Sequence, residues 1–321
     1  MTLLASAGSA SDLEYPFVHK KKYAMGTVFE IVAYDKSPAR ASDAIDRALL
    51  EIVRLDQVMS NYKSDSDLSR LNRSAHFQAQ VVAHDLYRVI EESLLYSRLS
   101  DGKFDITVGP LVDLWKAAMR GERSPSPAQE RKLRRCVGYR KIELLPPDRI
   151  EFRSPCLQVD LGAIGKGYAV DRAVDILRSR GITRALINAG GSTIYGMGTP
   201  PDRIGWLVHL RDPSGKADPQ VMLRDNSVST SEQTQPGLVG NARAGHIINP
   251  KLGEPLKTTF AVSVTAETAT ASDALSTTLL LIGPEKGKAL ISGIKNTAAI
   301  WISRDKRAET ASSGPQIQLQ R

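Results

Sequence analysis

Apolar and polar residues change period several times along the chain, and each change marks an element. Residues 24–35, AMGTVFEIVAYD, alternate and are rich in β-branched and aromatic types, which predicts a strand. From Ala41 to Met59, Ile45, Ala48, Leu49, Ile52, Val53 and Met59 recur at helical spacing and predict an amphipathic helix. A second helix is expected from about Asp85 to Leu99, with Leu86, Val89, Ile90 and Leu94 on one face and Asp101-Gly102 as its stop. The Pro-, Ser- and Gly-rich loop at 121–127 is the expected internal boundary or insertion point, followed by a short basic helix. KIELL and RIEFR flank Pro146-Pro147-Asp148 as a hairpin. VDLGAIGKGYAVD (159–171) then runs from a short strand through glycines into a helix closed by Gly181.

The second half is sheet-rich. RALINA, STIYGMG, IGWLVHL, SVSTS, FAVSVTA and AAIWIS are strand-like, with helices expected over about 272–281 and 285–292. Strands and helices mix without regular alternation, which predicts an α+β fold rather than a doubly wound parallel sheet. No fixed-period repeat is present.

Composition narrows the classes. With 321 residues, 41% apolar and 24% charged, the chain is ordinary globular material. A formal charge of +8 favours an anionic ligand without naming it. The basic runs at 19–22, 131–135 and 304–307 read as solvated faces. Aromatics, 6% of residues, do not interleave with them, so nucleic acid is not expected as a partner. Two cysteines, Cys136 and Cys156, exclude a disulfide framework and a CxxC zinc site; one bridge between them is compatible but not implied. No apolar run approaches the roughly 20 residues that span a bilayer. Residues 1–19 are expected to be a disordered start or the remnant of an export signal, since small residues follow Leu3-Leu4 without a basic region before them.

Several constellations can carry chemistry, each with a plainer alternative. The 159–171 stretch is neither a P-loop, since Gly162 stands too close to Gly165-Lys166, nor a dinucleotide fingerprint, since no third glycine is in register. It keeps their common physics: a tight turn before a helix N-terminus whose free N–H groups favour anions, with Lys166 adding a point charge. An ordinary strand-to-helix turn explains the same residues. Asp273 and Thr277 stand at i and i+4 on one helix face, two hard oxygens of the kind Mg²⁺ takes, although an aspartate there also complements the helix dipole. In GKFDITVGPL, Asp105 and Thr107 alternate on a short extended piece ending in a turn. Asn188-Ala-Gly190-Gly191 suits close approach by a planar ligand or simply a hairpin turn. His246, in GHIINP, is a candidate base or a hydrogen-bonded structural histidine.

The order of these blocks decides between the alternatives. AMGT, SNYKSDSDLSRLN, GKFDITVGPLVDLW, VDLGAIGKGYAVD, LINAGGS, HIINPKLGEP and AVSVTAETATASDALST follow one another over about residues 20–300. This series resembles the ApbE family, the FAD:protein FMN transferases. The resemblance implies an ApbE-like, T-fold-related α+β fold of mixed or antiparallel sheets with packed helices. It also implies Mg²⁺-dependent transfer of FMN from FAD, through a phosphoester, to a Thr or Ser hydroxyl of a partner flavoprotein, with release of AMP. In the family, such partners include subunits of membrane redox pumps. By matching positions, the Ala163 carbonyl, Asp273 and Thr277 would hold Mg²⁺. Met25, Tyr62, Lys103, Phe104, Asp105, Asp160, Lys166 and Ile248 would contact the flavin nucleotide, with Gly190 and Gly191 beside it, and His246 would deprotonate the acceptor.

The chain departs from the family pattern at three places. Ser229-Thr-Ser-Glu-Gln-Thr234 stands where the family usually has TSG and an aromatic, Ser192 follows the double glycine in place of Asp or Asn, and Ser276 replaces an extra metal-site Asp of some members. The alternative activities are FAD hydrolysis to FMN and AMP, and flavin binding without catalysis. The transferase domain is expected over 20–303 with a flexible basic tail at 304–321. By resemblance, the location is the periplasm or outer face of the cytoplasmic membrane, with the cytoplasm as the alternative.

Overall fold

The computed structural model describes residues 15–319, less 123–124, 216–217, 234–236, 240–241, 306 and 315–317. Residues 1–14 of the expected start, Thr234 and Lys306 of the basic tail lie outside the described residues.

A hairpin replaces the single strand expected over 24–35. β1 (Phe17–Ala24) and β2 (Thr27–Tyr34) pair antiparallel around Met25 and Gly26. Both turn residues have positive φ, 50° and 76°, the backbone that lets a two-residue turn follow strand twist. The lysine-rich HKKKYA conceals β1, because cationic side chains are what an edge strand tolerates.

The main sheet has eight antiparallel strands in the order β1-β2-β6-β7-β10-β13-β14-β15. Its further members are β6 (Arg184–Ala189), β7 (Thr193–Met197), β10 (Asn226–Glu232), β13 (Phe260–Ala266), β14 (Ala298–Ser303) and β15 (Ala308–Ser312). Three long helices cover one face: α1 (Pro38–Met59), α6 (Gly165–Ser179) and α7 (Ala269–Ser292). A small sheet of β8 (Trp206–His209), β9 (Pro219–Leu223) and β16 (Gln318–Leu319), in the order β16-β9-β8, lies over the other. β14 shows the division: Ala299 and Trp301 join the helical core, while Ala298, Ile300 and Ile302 join the cluster under β8 and β9. With both faces buried, AAIWIS loses the alternation of a one-sided strand.

The rest of the chain caps the helical side. It comprises α2 (Asp67–Ser74), α3 (His84–Leu99), α4 (Gly109–Met119), α5 (Pro127–Arg134) and a sheet of order β3-β5-β4, with β3 (Gln80–Val81), β4 (Ile142–Leu145) and β5 (Arg149–Phe152). β4 and β5 are the hairpin expected around Pro146-Pro147-Asp148. The loop at 121–127 separates no sheet, because Gln80 before it pairs with Ile150 after it. β11 (Gly237–Val239) and β12 (Ala242–Ala244) form a separate two-stranded hairpin.

Two further expectations are corrected. The extended piece through Asp105 and Thr107 gives way at Gly109 to α4, which Pro110 opens with its preset φ. Residues 308–312, expected in a flexible tail, are β15; their short polar side chains suit an edge but give little periodic signal. The two helices expected over about 272–281 and 285–292 are found, separated by a break at Gly283 (φ 78°) and Pro284 within the span Ala269–Ser292 labelled α7.

Cys136 and Cys156, 20 residues apart, form a disulfide. It ties the turn after α5 to the segment leading into Asp160, and a loop of this length contributes about 3 kcal/mol. No helix among the described residues is long and apolar enough to cross a membrane.

Candidate active site

The site depends on how closely α6 approaches α7. A Cβ at Gly167 would stand 2.2 Å from the Ala269 carbonyl oxygen and 2.8 Å from Asp273 Cβ, so only glycine allows the contact. The Gly167 N–H donates to Asp273 Oδ2 at 2.9 Å. One turn further on, Asp171 accepts from the Ala269 N–H (2.7 Å), the Thr270 N–H (2.8 Å) and the Thr270 hydroxyl (2.6 Å). These bonds satisfy free donors at the start of α7. Burial raises the pKa of Asp171, and the three donors oppose that shift.

A cavity of about 900 Å³ opens beside this junction. Of the sequence-predicted residues, Tyr62, Lys103, Phe104, Asp105, Asp160, Ala163, Lys166, Gly190, Gly191, His246, Ile248, Asp273 and Thr277 all line it. Met25 does not. It sits in the β1–β2 turn, where its Cε lies 3.4 Å from the Cβ position of Gly165 at the start of α6.

The glycine turn is fixed by its own hydrogen bonds. Asp160 Oδ1 accepts from the Gly162 N–H at 2.8 Å, and the Lys166 ammonium donates to the Gly162 carbonyl at 3.2 Å. Across the cavity, Gly190 and Gly191 have φ of 62° and 73°, and a Cβ at Gly190 would overlap the Thr27 hydroxyl. The Asn188 carboxamide accepts from the Gly191 N–H at 2.7 Å and fixes this turn. Positive φ at both positions and, at Gly190, close approach to Thr27 explain the double glycine.

The third wall is the segment between α3 and α4. Phe104 is buried against Tyr96, ring centroids 6.0 Å apart. Asp105 accepts from Thr107 N–H and hydroxyl and from the Tyr139 N–H. Burial raises its pKa, and these donors pull the other way. Tyr62 is exposed, with the Lys116 ammonium 2.8 Å from its hydroxyl and 4.9 Å from its ring centroid. Lys116 Nζ is also 3.8 Å from Asp160. Burial lowers the Lys116 pKa, but Asp160 and the Tyr62 hydroxyl outweigh it and the net shift is upward.

His246 faces the cavity and is exposed. Desolvation by the surrounding walls, then the charges of Lys166 and Lys116, lower its pKa from 6.5, so the ring is neutral near pH 7. A neutral imidazole can take a proton.

The sequence model of the ApbE family matches residues 25–301. The chain belongs to the ApbE family. It is 31% identical over 311 residues to the FAD:protein FMN transferase of Treponema pallidum, covering 90% of this chain and 85% of that protein. It is 28% identical over 277 residues to the Escherichia coli K12 protein of the same name, covering 83% and 79%. Among solved structures, the flavin transferase ApbE from Vibrio cholerae superposes with TM-score 0.79 at 28% identity, over 93% of this chain and 98% of that one. The apo flavinyl transferase ApbE of Pseudomonas stutzeri gives 0.80 at 26%, over 93% and 96%. The ApbE chain is thus a transferase by family, and its α+β architecture is that of ApbE flavin transferases.

The donor set of this ApbE chain fits a hard cation. Ala163, Asp273 and Thr277 offer a backbone carbonyl, a carboxylate and a hydroxyl on one cavity, all oxygen donors. No group of three or more His, Cys, Asp or Glu side chains suited to a metal occurs among the described residues. The set therefore suits Mg²⁺, which keeps waters and shares substrate phosphates, better than a metal caged by protein alone.

Three lining residues with Lys, Arg or Glu side chains are absent from the predicted set. Lys116 belongs to α4, and the helical spacing of Leu111, Leu114, Trp115 and Ala118 after Gly-Pro is the signal that finds it. Arg211 comes from the segment just after β8. Glu232 replaces the expected glycine; it pairs with Arg211 and lies 3.9 Å from Arg304, so its charge is matched within the cavity wall.

The helix contact makes the first test. Gly167→Ala should cost about 1–3 kcal/mol by overpacking and also weaken any ligand bound near Asp273. Denaturant melts and flavin titration of the variant, both unchanged, would contradict the close packing.

Proposed function

We propose that this protein transfers FMN from FAD to a Thr or Ser hydroxyl of a partner flavoprotein, with Mg²⁺, and releases AMP. The observation that carries the reading is the convergence of the glycine turn, the Asp273–Thr277 face and the neutral His246 on one cavity.

In this reading, the α6 turn and Lys166 receive the pyrophosphate, the 190–191 turn and Phe104 border the nucleotide, and Tyr62 with Lys116 closes over it. Ala163, Asp273 and Thr277 would hold Mg²⁺, which when bound neutralises charge on the phosphoryl group being transferred. His246 takes the proton of the acceptor hydroxyl, whose oxygen forms a bond to the FMN phosphorus. The bond from that phosphorus to the bridging oxygen breaks, and AMP leaves with that oxygen. Little covalent chemistry falls to the protein, so placement and charge dominate. With water as acceptor, the same steps give FMN and AMP, so hydrolysis is a competing outcome of the assay below. The acceptor is a protein of the membrane redox-pump type in this reading, and its recognition is not encoded in the nucleotide cavity.

We propose further that the protein works outside the reducing cytoplasm. The Cys136–Cys156 disulfide supports this, because such bonds persist in oxidising compartments.

Two measurements test these readings. With purified protein, FAD and Mg²⁺, Asp273→Ala should abolish AMP release. His246→Ala should retain FAD binding while slowing release about 10²–10⁴-fold, and the wild-type rate should fall with acidity through a pKa below 6.5. Covalent flavin on a denaturing gel separates transfer from hydrolysis, and AMP release unaffected by Asp273→Ala would sink the metal assignment. For location, alkylation of freshly lysed cells should find no reactive thiol on the unfolded chain, whereas two labelled cysteines would place it in the cytoplasm.

A further inference from the structure

Beneath Asp273 and Thr277 lies a ladder of hydroxyls that the proposed reaction does not use. Ser227, Ser229 and Ser231 alternate along β10 and face α7. Ser227 and Ser229 Oγ lie 2.8 and 2.7 Å from Ser272 Oγ. Ser231 Oγ lies 2.8 Å from Ser276 Oγ and 3.0 Å from Thr277 Oγ1. Ser276 in turn donates to the backbone carbonyl of Asp273 at 2.9 Å.

The last bond gives the upper ladder a direction. A carbonyl oxygen only accepts, and each hydroxyl has one proton. The Ser276 proton goes to Asp273, so Ser276 accepts from Ser231. The Ser231 proton is then used, and Ser231 accepts from Thr277. The sequence of donors is Thr277 to Ser231 to Ser276 to the Asp273 carbonyl. A hydroxyl that binds a cation must turn a lone pair toward it and send its proton elsewhere. Here Ser231 receives that proton.

We infer that Ser231 is a positioning residue for the cation end of the site: it accepts the Thr277 hydroxyl proton, relays its own to Ser276, and so presents the Thr277 oxygen as a ligand. The inference rests on the proposed Mg²⁺ role of Asp273 and Thr277. It also gives Ser276 a role of its own, as the link that returns the chain to the backbone of Asp273. The ladder thereby couples both side-chain ligands through one set of hydrogen bonds between β10 and α7. Glycine or alanine at 231 would leave the Thr277 proton free to rotate into the site.

The test is calorimetric titration of flavin-loaded protein with Mg²⁺, beside FAD titration in EDTA and thermal unfolding in EDTA. Ser231→Ala should raise the Mg²⁺ dissociation constant about 10–100-fold, the usual effect of removing a partner of a metal ligand, and its turnover should recover at high Mg²⁺. Ser231→Thr, which keeps the hydroxyl, should restore affinity. Ser276→Ala should weaken Mg²⁺ in the same direction, since it removes the acceptor of the Ser231 proton. Wild-type Mg²⁺ affinity in Ser231→Ala overturns the relay alone. Loss of unfolding temperature and of metal-free FAD binding in parallel with Mg²⁺ would overturn it in favour of a packing role. Absence of Mg²⁺ binding by the unaltered protein would overturn the cation reading and the relay with it.

Discussion

The contact of Gly167 with the first turn of α7 sets the rest of the site. Two helices from distant parts of the chain meet so closely that a single methyl group would collide with backbone, and the meeting is held by directed bonds. Gly167 holds the Asp273 carboxylate while Asp171 holds the end of the helix that carries it. The same glycine-rich start of α6 shapes the turn over Asp160 and Gly162. The Asp273–Thr277 face and the glycine turn are therefore parts of one joint, and a change in helix spacing moves both.

Charge follows the same economy of parts. Lys103, Lys116, Lys166 and Arg211 line the cavity, and each carboxylate among them has a local task. Asp160 shapes the turn, Asp105 organises the 105–107 and 138–139 backbone with Thr107, and Glu232 answers Arg211. His246 loses solvent to the cavity walls and shares the space with two ammonium groups; desolvation first, and then their charge, lowers its pKa and keeps the ring able to accept a proton. A net charge of +8 describes the chain poorly by comparison; the useful positive charge lies in the cavity.

Much of the site was legible in the sequence because its parts are local motifs. A glycine turn before a helix, an i, i+4 pair and a double glycine each demand particular residues at short range, and their order points to the family. The fold class followed from the same patterns. What was not legible depends on distance. The role of Asp171 needs α7, 98 residues further on. Lys116 needs α4, whose opening Gly-Pro resembles a turn, and β1 and β15 are polar edge strands with little alternation. The hydroxyls of SVSTS read as a strand and nothing more until α7 is laid against them. Met25, a matching position in the β1–β2 turn, is not among the residues that line the cavity and packs toward Gly165 at the start of α6.

Titration of flavin-free protein with FAD, followed by flavin fluorescence in Mg²⁺ and again in excess EDTA, tests the central claim most directly. Saturable binding that prefers FAD to riboflavin and tightens with Mg²⁺ is the predicted result, because in the proposed reading the α6 turn receives the pyrophosphate and the cation shares its oxygens. Equal affinity for riboflavin and FAD, or no binding in either buffer, would contradict a pyrophosphate cradle at the α6–α7 joint.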